Sequence, residues 1–290
     1  MQRKPQLWFL SILLWAAAAF AAPPQRIVSV SPTLTEILYG LGVFDRVVGV
    51  SDFCTYPPEA MTRTHVGGWS DPNLERIVSL HPDLVVLTEG QTPTLEYNLR
   101  KLGIASVKTR SQTVADVFTA INEVGIAVGK EREAQALIRS TQAALETVRR
   151  RTAGLPRPTV VIAVDRAPGS LRDLYIATQR SYLADLVEIA GGHVVAAPTQ
   201  SGYSKINKET LVALNADVVL ELRPGSLAKD AQSARSDWEA LPALKAVRNA
   251  RVYELTEDFI PHNSQRVAKT VVLLARILHP EIPLRELETP

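Results

Sequence analysis

The sequence predicts an α/β fold of two similar lobes with mainly parallel sheets, joined by one long α-helix and separated by a cleft. Three observations predict this fold. Short apolar runs alternate with helical segments, one long run of helix formers interrupts the alternation, and a motif of the first half recurs in the second. Alternation of this kind is typical of a parallel sheet with helices on its faces.

The first lobe is assigned to residues 23–128. A short apolar strand at 26–30 is followed by a helix that begins after Ser31-Pro32 and ends at Gly40 and Gly42, since glycine commonly terminates helices. Further strands are predicted at 47–50, 84–87 and 106–108, and further helices at 74–80, 95–102 and 113–128.

The linking helix is assigned to residues 129–154. Residues 130–152 are mostly strong helix formers, without glycine or proline. Glu131 and Glu133 lie in the first turns and arginines 149–151 close the helix, which suits the helix dipole. The second lobe, residues 155–290, has predicted strands at 159–164, 218–222 and 252–255, and predicted helices at 182–190, 208–214 and 264–278.

An internal repeat supports the two-lobe arrangement. With Asn73 set against Asn207, six residues are identical in roughly fifteen positions, and each copy reads as a short helix, a turn and an apolar strand. The other identical pairs are Glu75/Glu209, Val78/Val212, Leu80/Leu214, Asp83/Asp217 and Val85/Val219. One connecting helix would fix the separation of two such lobes and allow only limited rocking. Clefts between domains are preferred ligand sites, and loops at the carboxyl ends of the strands line them.

The first 22 residues are predicted to be a secretory signal peptide. Arg3 and Lys4 precede an apolar run, and small residues precede Pro23-Pro24, which indicates cleavage near Ala21-Ala22. A retained anchor is the alternative, but the run of about 16 residues is short for a membrane span. There is no cysteine near the cleavage region, which argues against a lipid anchor. We therefore expect a soluble, exported, monomeric chain.

Composition excludes several classes of function. Removal of Arg3 and Lys4 lowers the formal net charge from +2 to 0, and without a basic run nothing favours nucleic acid. Cys54 is the single cysteine, so it cannot form an internal disulfide, and we expect it to be a packing residue. The five histidines lack the spacing of a metal site, and no resident metal or cofactor is expected. There is no GxSxG elbow, phosphate loop or HExxH, and nothing pairs Glu36 with Glu75 as acid and base, so an enzyme is not expected.

Several loops predicted to line the cleft carry large aromatic residues. Tyr56, Trp69 and Phe259 lie in polar, proline- or glycine-rich segments, where they offer flat apolar area to a ligand. The alternative is that these rings anchor their loops by packing. Asp258 and His262 either orient polar groups of a ligand or cap the final helix.

Four segments carry a family resemblance: residues 27–36, 56–60, 72–77 and 82–85. Together they resemble the helical-backbone periplasmic binding proteins of ABC importers, in particular the cobalamin-binding branch. The resemblance covers nearly the whole mature chain and is more specific in the first lobe. It implies that the protein captures a corrinoid in the cleft and delivers it to an inner-membrane permease.

The resemblance also implies roles for individual residues. Ligand contacts map to Pro32, Thr33, Tyr56, Trp69, Tyr175, Asp258 and His262, and Thr88 and Phe259 are added from the same loops. Thr88 stands where related proteins carry a tryptophan, and His262 where they carry an arginine. Permease-docking acids map to Glu75 and Glu239, whose charges would pair with arginines of the permease. The alternative for Glu75 is a first-turn acid that stabilises its helix.

Two other ligands stay open at this point. A ferric siderophore calls for several arginines in the cleft, and the candidates are Arg166, Arg172, Arg180 and Arg266. Haem is the other, since His262 could ligate a haem iron as well as a cobalt. An extracytoplasmic enzyme is the alternative of another class.

Overall fold

The computed structural model describes residues 22–91, 93–224 and 234–287. Residues 1–21 of the predicted signal peptide lie outside the described residues. Within the described part of the chain, no helix is both long and apolar enough to cross a membrane. Two separate sheets form the centres of two lobes, as the sequence predicted.

The first sheet has the order β3-β2-β1-β4-β5, and every neighbouring pair is parallel. Its strands are β1 (Ile27–Ser29), β2 (Val47–Val50), β3 (Thr64–His65), β4 (Leu84–Thr88) and β5 (Ala105–Thr109). All residues of β1 and β4 are buried. This burial explains why the central strands are continuous apolar runs in the sequence.

The second sheet is mixed. Its strands are β6 (Thr159–Asp165), β7 (Leu174–Ala177), β8 (His193–Val194), β9 (Tyr203–Ile206), β10 (Val218–Leu222) and β11 (Val252–Leu255). The order is β11-β10-β6-β7-β9, and β8 also pairs with β6. Pairs among β6, β8, β10 and β11 are parallel, whereas β7 runs antiparallel to β6 and β9. The antiparallel strands were not predicted, and the expectation that Tyr175 lies in a loop is wrong, because it lies in β7.

The helices of the first lobe are α1 (Pro32–Gly40), α2 (Leu74–Ser79), α3 (Pro93–Lys101) and α4 (Val114–Ala127), with 3-10 turns at Phe44–Arg46 and Pro58–Thr62. The linking helix is α5 (Glu131–Thr152). The second lobe has α6 (Tyr182–Ile189), α7 (Lys208–Leu214), α8 (Ala234–Glu239), α9 (Lys245–Arg248), α10 (Val267–Leu278) and α11 (Leu284–Leu287). Helix α10 begins three residues later than predicted, because the side chains of residues 264–266 bind the first lobe.

The internal repeat is visible in matched contacts. Asn73 and Asn207 cap α2 and α7, each accepting a hydrogen bond from a backbone N–H three residues later. His81 and Asn215, also 134 positions apart, both have positive φ, at 48° and 43°. The paired aspartates hold the adjacent central strand: Asp83 accepts from the N–H of Arg26 just before β1, and Asp217 from the first N–H of β6. The two copies therefore share their local structure as well as their sequence.

Helix α5 belongs to the core of both lobes. It is 22 residues long, about 33 Å at 1.5 Å per residue. It packs on α4 in the first lobe and on α6, α10 and α11 in the second. A single apolar cluster contains Ile37 of α1, Val148 of α5 and Leu274 of α10. The expectation of a rod that only holds the lobes apart is therefore incomplete, because the lobes share packed residues through it.

Candidate functional site

A cavity of about 570 Å³ lies between the lobes. The first lobe lines it with Ser31, Pro32, Thr33, Phe53, Trp69, Thr88, Ser111 and Gln112. The second lobe lines it with Arg180, Ser181, Tyr182, Gln200, Ser201, Gly202, Tyr203, Pro261, His262 and Asn263. The first-lobe residues end or follow the parallel strands β1 to β5, which is where an α/β sheet places its ligand.

Helix N-termini also face this cavity. Ser31 and Ser181 are the N-caps of α1 and α6, and Ser111 and Gln112 directly precede the N-cap of α4. The unpaired N–H groups of a helix start carry a partial positive charge. Together with the hydroxyl and amide side chains of the lining, these helix ends favour oxygen-rich ligand groups without requiring a full negative charge.

Trp69 is presented by a tight turn. Gly67 has φ of +99°, a conformation that disfavours other residues, and a Cβ on it would meet the carbonyl oxygen of Asp71 at 2.7 Å. Gly67 also forms a bridge with Pro72 across the turn. The glycine pair before Trp69 is thus required by the turn, and the indole remains 42% exposed in the cavity wall.

Thr88 fixes the orientation of this indole. Trp69 Nε1 donates to Thr88 Oγ1 at 3.1 Å, and that hydroxyl donates to Gln91 Oε1 at 3.0 Å. The amide nitrogen of Gln91 donates to the carbonyl oxygens of Val30 and Trp69. Thr88 therefore supports Trp69, because the buried hydrogen-bond network holds the indole ring at the cavity wall.

Tyrosines form much of the second-lobe wall. Tyr182 donates from its hydroxyl to the carbonyl oxygen of Ile260 at 2.9 Å, and burial raises the pKa of Tyr182 well above its ordinary value. Tyr203 lies beside it on β9. Tyr175 lines a neighbouring pocket of about 400 Å³, which shares Tyr182, Tyr203 and Pro261 with the main cavity. The aromatic surface thus continues past the cavity along this wall.

Arginines are mostly absent from the described lining. Of the four candidates, Arg180 alone belongs to it. Arg166 pairs with Glu221 and Asp237, each at 2.7 Å, and its side chain is 5% exposed. Arg266 is paired with acids in the same way, and Arg172 is an exposed residue before β7. The cavity is therefore polar but carries little permanent charge.

A buried carboxylate joins the two lobes beside the cavity. Glu36 of α1 is fully buried and accepts hydrogen bonds from Arg266 Nη1 and His262 Nδ1, both at 2.8 Å. Its second oxygen accepts from the hydroxyl of Ser264, and its backbone carbonyl accepts from Gln265 Nε2 at 2.7 Å. Three consecutive residues and His262 thus tie the second lobe to the first; we call this group the Glu36 cluster.

Three predicted ligand contacts surround Arg266 of this cluster. Asp258 Oδ1 accepts from Arg266 Nη2 at 2.9 Å, and the guanidinium lies 4.1 Å from the ring centre of Tyr56 and 5.1 Å from that of Phe259. Burial opposes ionisation of Asp258, but the hydrogen bonds and charge of Arg266 outweigh it, so the pKa of Asp258 lies below its ordinary value. This arrangement matches the alternative in which the aromatic rings anchor their loops.

The structure thus sorts the predicted ligand residues into three groups. Pro32, Thr33, Trp69, Thr88 and His262 line the cavity, Tyr175 lines the neighbouring pocket, and Tyr56, Asp258 and Phe259 lie around Arg266. Arg180, named among the candidate cleft arginines, also lines the cavity, whereas Phe53, Tyr182 and Tyr203 were not singled out from the sequence. Phe53 follows β2 in the same loop as Tyr56 and carries the same signal. Tyr182 begins α6, and Tyr203 lies on the unpredicted strand β9.

The two predicted docking acids lie on short helices. Glu75 is exposed in the first turn of α2, and Glu239 is exposed at the last residue of α8. The two residues before Glu239 hold α8 in place: Asp237 pairs with Arg166, and the fully buried Trp238 donates to Glu221 at 2.6 Å.

Cys54 is buried, as expected of a packing residue, and burial raises the pKa of its thiol.

The fold and the interlobe cavity together define a two-lobed binding protein. The sequence profile of the family described as periplasmic binding protein matches residues 27–259, and the chain belongs to that family. Among curated relatives, an uncharacterized ABC transporter substrate-binding lipoprotein of Bacillus subtilis is 29% identical, covering 89% of this chain and 81% of its own. A cobalamin-binding protein of Halobacterium salinarum is 29% identical, covering 91% and 72%. The family and these relatives are binding proteins, which confirms the predicted class and the expectation of no enzyme.

Solved structures share the fold. The periplasmic vitamin B12 binding protein of Vibrio cholerae superposes with a TM-score of 0.75 at 23% identity, covering 88% of this chain and 97% of its own. A periplasmic haem-binding protein from Roseiflexus sp. RS-1 in apo form superposes with a TM-score of 0.77 at 22% identity, covering 91% and 99%. Proteins that bind different metal-containing rings thus have this architecture.

Proposed function

We propose that this protein is the solute-binding component of an ABC importer and captures a corrinoid in the cavity between its lobes. The observation that carries the proposal is the lining: exposed aromatic rings are interspersed with hydroxyl and amide side chains, and Arg180 is the single arginine among the described lining residues. A corrinoid is a broad ring with amide-bearing side chains, so it offers apolar faces and uncharged hydrogen-bonding edges. Relatives described as cobalamin-binding support this choice.

The same lining argues against a ferric siderophore. Arg166 and Arg266 are each held by two carboxylates, and freeing either would leave a buried carboxylate without its arginine, which costs several kcal/mol. Arg180 alone would then balance the charge of an anionic chelate. Haem is kept as the second candidate ligand in the test, because proteins that share this fold include a haem-binding protein.

Fluorescence titration of ligand-free mature protein with cyanocobalamin, haemin and a ferric siderophore tests the proposal. The chain beyond residue 22 has two tryptophans, Trp69 in the cavity wall and Trp238 in the second-lobe core. Saturable quenching by cyanocobalamin is expected, and Trp69→Phe should remove most of the quenching because Trp69 lies at the ligand. Saturation by haemin or the siderophore but not by the corrinoid would refute the corrinoid assignment.

We further propose that Glu75 and Glu239 dock the loaded protein on the permease. Their exposure on α2 and α8 supports contact with a partner. Replacing both with lysine should abolish uptake while leaving corrinoid affinity unchanged. Glu209→Lys is the matched control, because Glu209 is exposed at the same position of α7 as Glu75 in α2. Loss of ligand binding in the double variant would show that the two acids are structural.

We place the mature chain in the periplasm as a monomer, with the signal peptide cleaved near Ala21-Ala22. The basic start and apolar run support export. Mass spectrometry of protein from the periplasmic fraction should give a mature N-terminus at Ala22 or Pro23, and sedimentation should give the mass of one chain. An intact N-terminus on the mature protein would refute the cleavage.

A further inference from the structure

We propose that Nε2 of His262 coordinates the metal centre of the captured ring. The inference rests on the proposed function, because it requires a metal-containing macrocycle in the cavity. It adds a coordinate bond to the apolar and hydrogen-bonding contacts proposed above.

The Glu36 cluster determines the tautomer. Glu36 Oε1 also accepts from Arg266 Nη1, so in its 2.8 Å contact with this oxygen the imidazole of His262 is the donor, through Nδ1–H. In the neutral imidazole, Nε2 then carries the lone pair. Neutral imidazole nitrogen is a good ligand for iron and other transition metals.

The free nitrogen faces away from Glu36. The two nitrogens flank one ring carbon and point outward in widely different directions, and His262 belongs to the cavity lining with 15% of its side chain exposed. Among the described residues, Nε2 has no hydrogen-bond partner, since the contact with Glu36 uses Nδ1. The cavity is therefore the direction in which the lone pair can find a partner.

The support behind the imidazole is buried and held by several hydrogen bonds. Glu36 is 1% exposed and is also bound by Arg266 Nη1 at 2.8 Å and by the hydroxyl of Ser264. Metal-ligating histidines almost always donate their other N–H to a carboxylate, a backbone carbonyl or a water, which fixes the ring and raises its basicity. The chain therefore holds this imidazole in a fixed orientation, with Nδ1 engaged by Glu36, before any ligand arrives.

The inference restricts the class of ligand. The lone pair of Nε2 forms the new bond to the metal while a bound water leaves, and no electron is transferred. This exchange requires a metal with an exchangeable axial position, as in an aquo-corrinoid or haem. A hexadentate ferric siderophore has no such position, and a corrinoid whose upper position holds cyanide exchanges it far less readily.

The test compares aquocobalamin with cyanocobalamin on the intact mature protein. Binding of aquocobalamin should shift its visible spectrum to that of aquocobalamin mixed with free imidazole, whereas cyanocobalamin should bind without this shift. Aquocobalamin should bind roughly tenfold or more tightly than cyanocobalamin, equivalent to about 1.4 kcal/mol. In His262→Gln the spectral shift should disappear and the two affinities should become equal. His65→Gln, at a histidine outside the cavity lining, should behave like the unsubstituted protein.

Each outcome discriminates. Saturable binding of aquocobalamin with an unchanged spectrum, or a shift that persists in His262→Gln, would overturn the coordination but leave the proposed function intact. Failure of both cobalamins to bind the unsubstituted protein would overturn the proposed function itself. Haemin is the third arm, and a six-coordinate low-spin spectrum that His262→Gln abolishes would support coordination while assigning the cavity to haem.

Discussion

Removal of Arg266 tests how strongly the Glu36 cluster joins the lobes. The variant Arg266→Met keeps much of the apolar stem but leaves Glu36 buried without its cationic partner. Removing one partner of a buried ion pair typically destabilises a protein by about 3–5 kcal/mol. Because His262 and Ser264 still donate to Glu36, we expect the lower end, about 3 kcal/mol.

Urea denaturation followed by circular dichroism measures this loss as a lower midpoint at unchanged slope. Arg149→Met is the control for the same chemical change: Arg149 pairs with Glu146 on the surface of α5, its side chain is 58% exposed, and its loss should cost less than about 1 kcal/mol. The double variant Glu36→Leu/Arg266→Met should recover much of the loss, since apolar residues can replace a buried pair. Equal stability of Arg266→Met and Arg149→Met would refute the reasoning.

Three further predictions concern the cavity, the repeat and pH. Trp69→Ala should weaken ligand binding at least tenfold, or about 1.4 kcal/mol, as measured by calorimetry. Tyr97→Ala, at an exposed residue of α3, should leave the affinity unchanged. Equal effects of the two substitutions would show that Trp69 does not contact the ligand. Asn207→Ala should lower the free energy of unfolding by about 1 kcal/mol through loss of the α7 cap, and an unchanged urea midpoint would contradict this. The pKa of Asp258 is lower in the folded than in the unfolded state. The ionised carboxylate therefore stabilises the fold above the unfolded pKa of about 3.9, and this stabilisation is lost as pH falls through the folded pKa. The stability difference between the unsubstituted protein and Asp258→Asn should therefore shrink in urea titrations below about pH 4; a constant difference would show that charge is not involved.

The sequence predicted elements whose periodicity reflects burial. Strand β10 and helix α7 have the predicted limits, and β4 extends one residue further, because buried apolar runs and an asparagine cap mark them. Strands β7 and β9 escaped prediction because they are short and mix exposed with buried residues. Their omission misplaced Tyr175 and hid Tyr203.

Residues of the site were predictable where a single loop defines their position. Thr33 lies in the loop after the predicted strand at 26–30, so the rule for parallel sheets locates it. Trp69 was identified as an aromatic residue in a glycine-rich loop, since β3 was not predicted. Glu36 was considered only as an acid–base partner of Glu75 and set aside, because its partners lie more than 220 residues away in the sequence. Such a contact depends on how the lobes pack, and neither composition nor spacing encodes that packing locally.

The apolar cluster that runs through α1, α5 and α10 limits how far the two lobes can separate when a ligand enters or leaves the cavity. A wide opening of the two lobes would separate packed side chains and expose them to water, at a free-energy cost of roughly 25 cal/mol for each Å² of apolar surface exposed. We therefore expect the protein to keep nearly the same outline with and without bound ligand. Small-angle scattering should give the same radius of gyration with and without ligand. Release of the ligand should then require the permease to separate the edges of the two lobes.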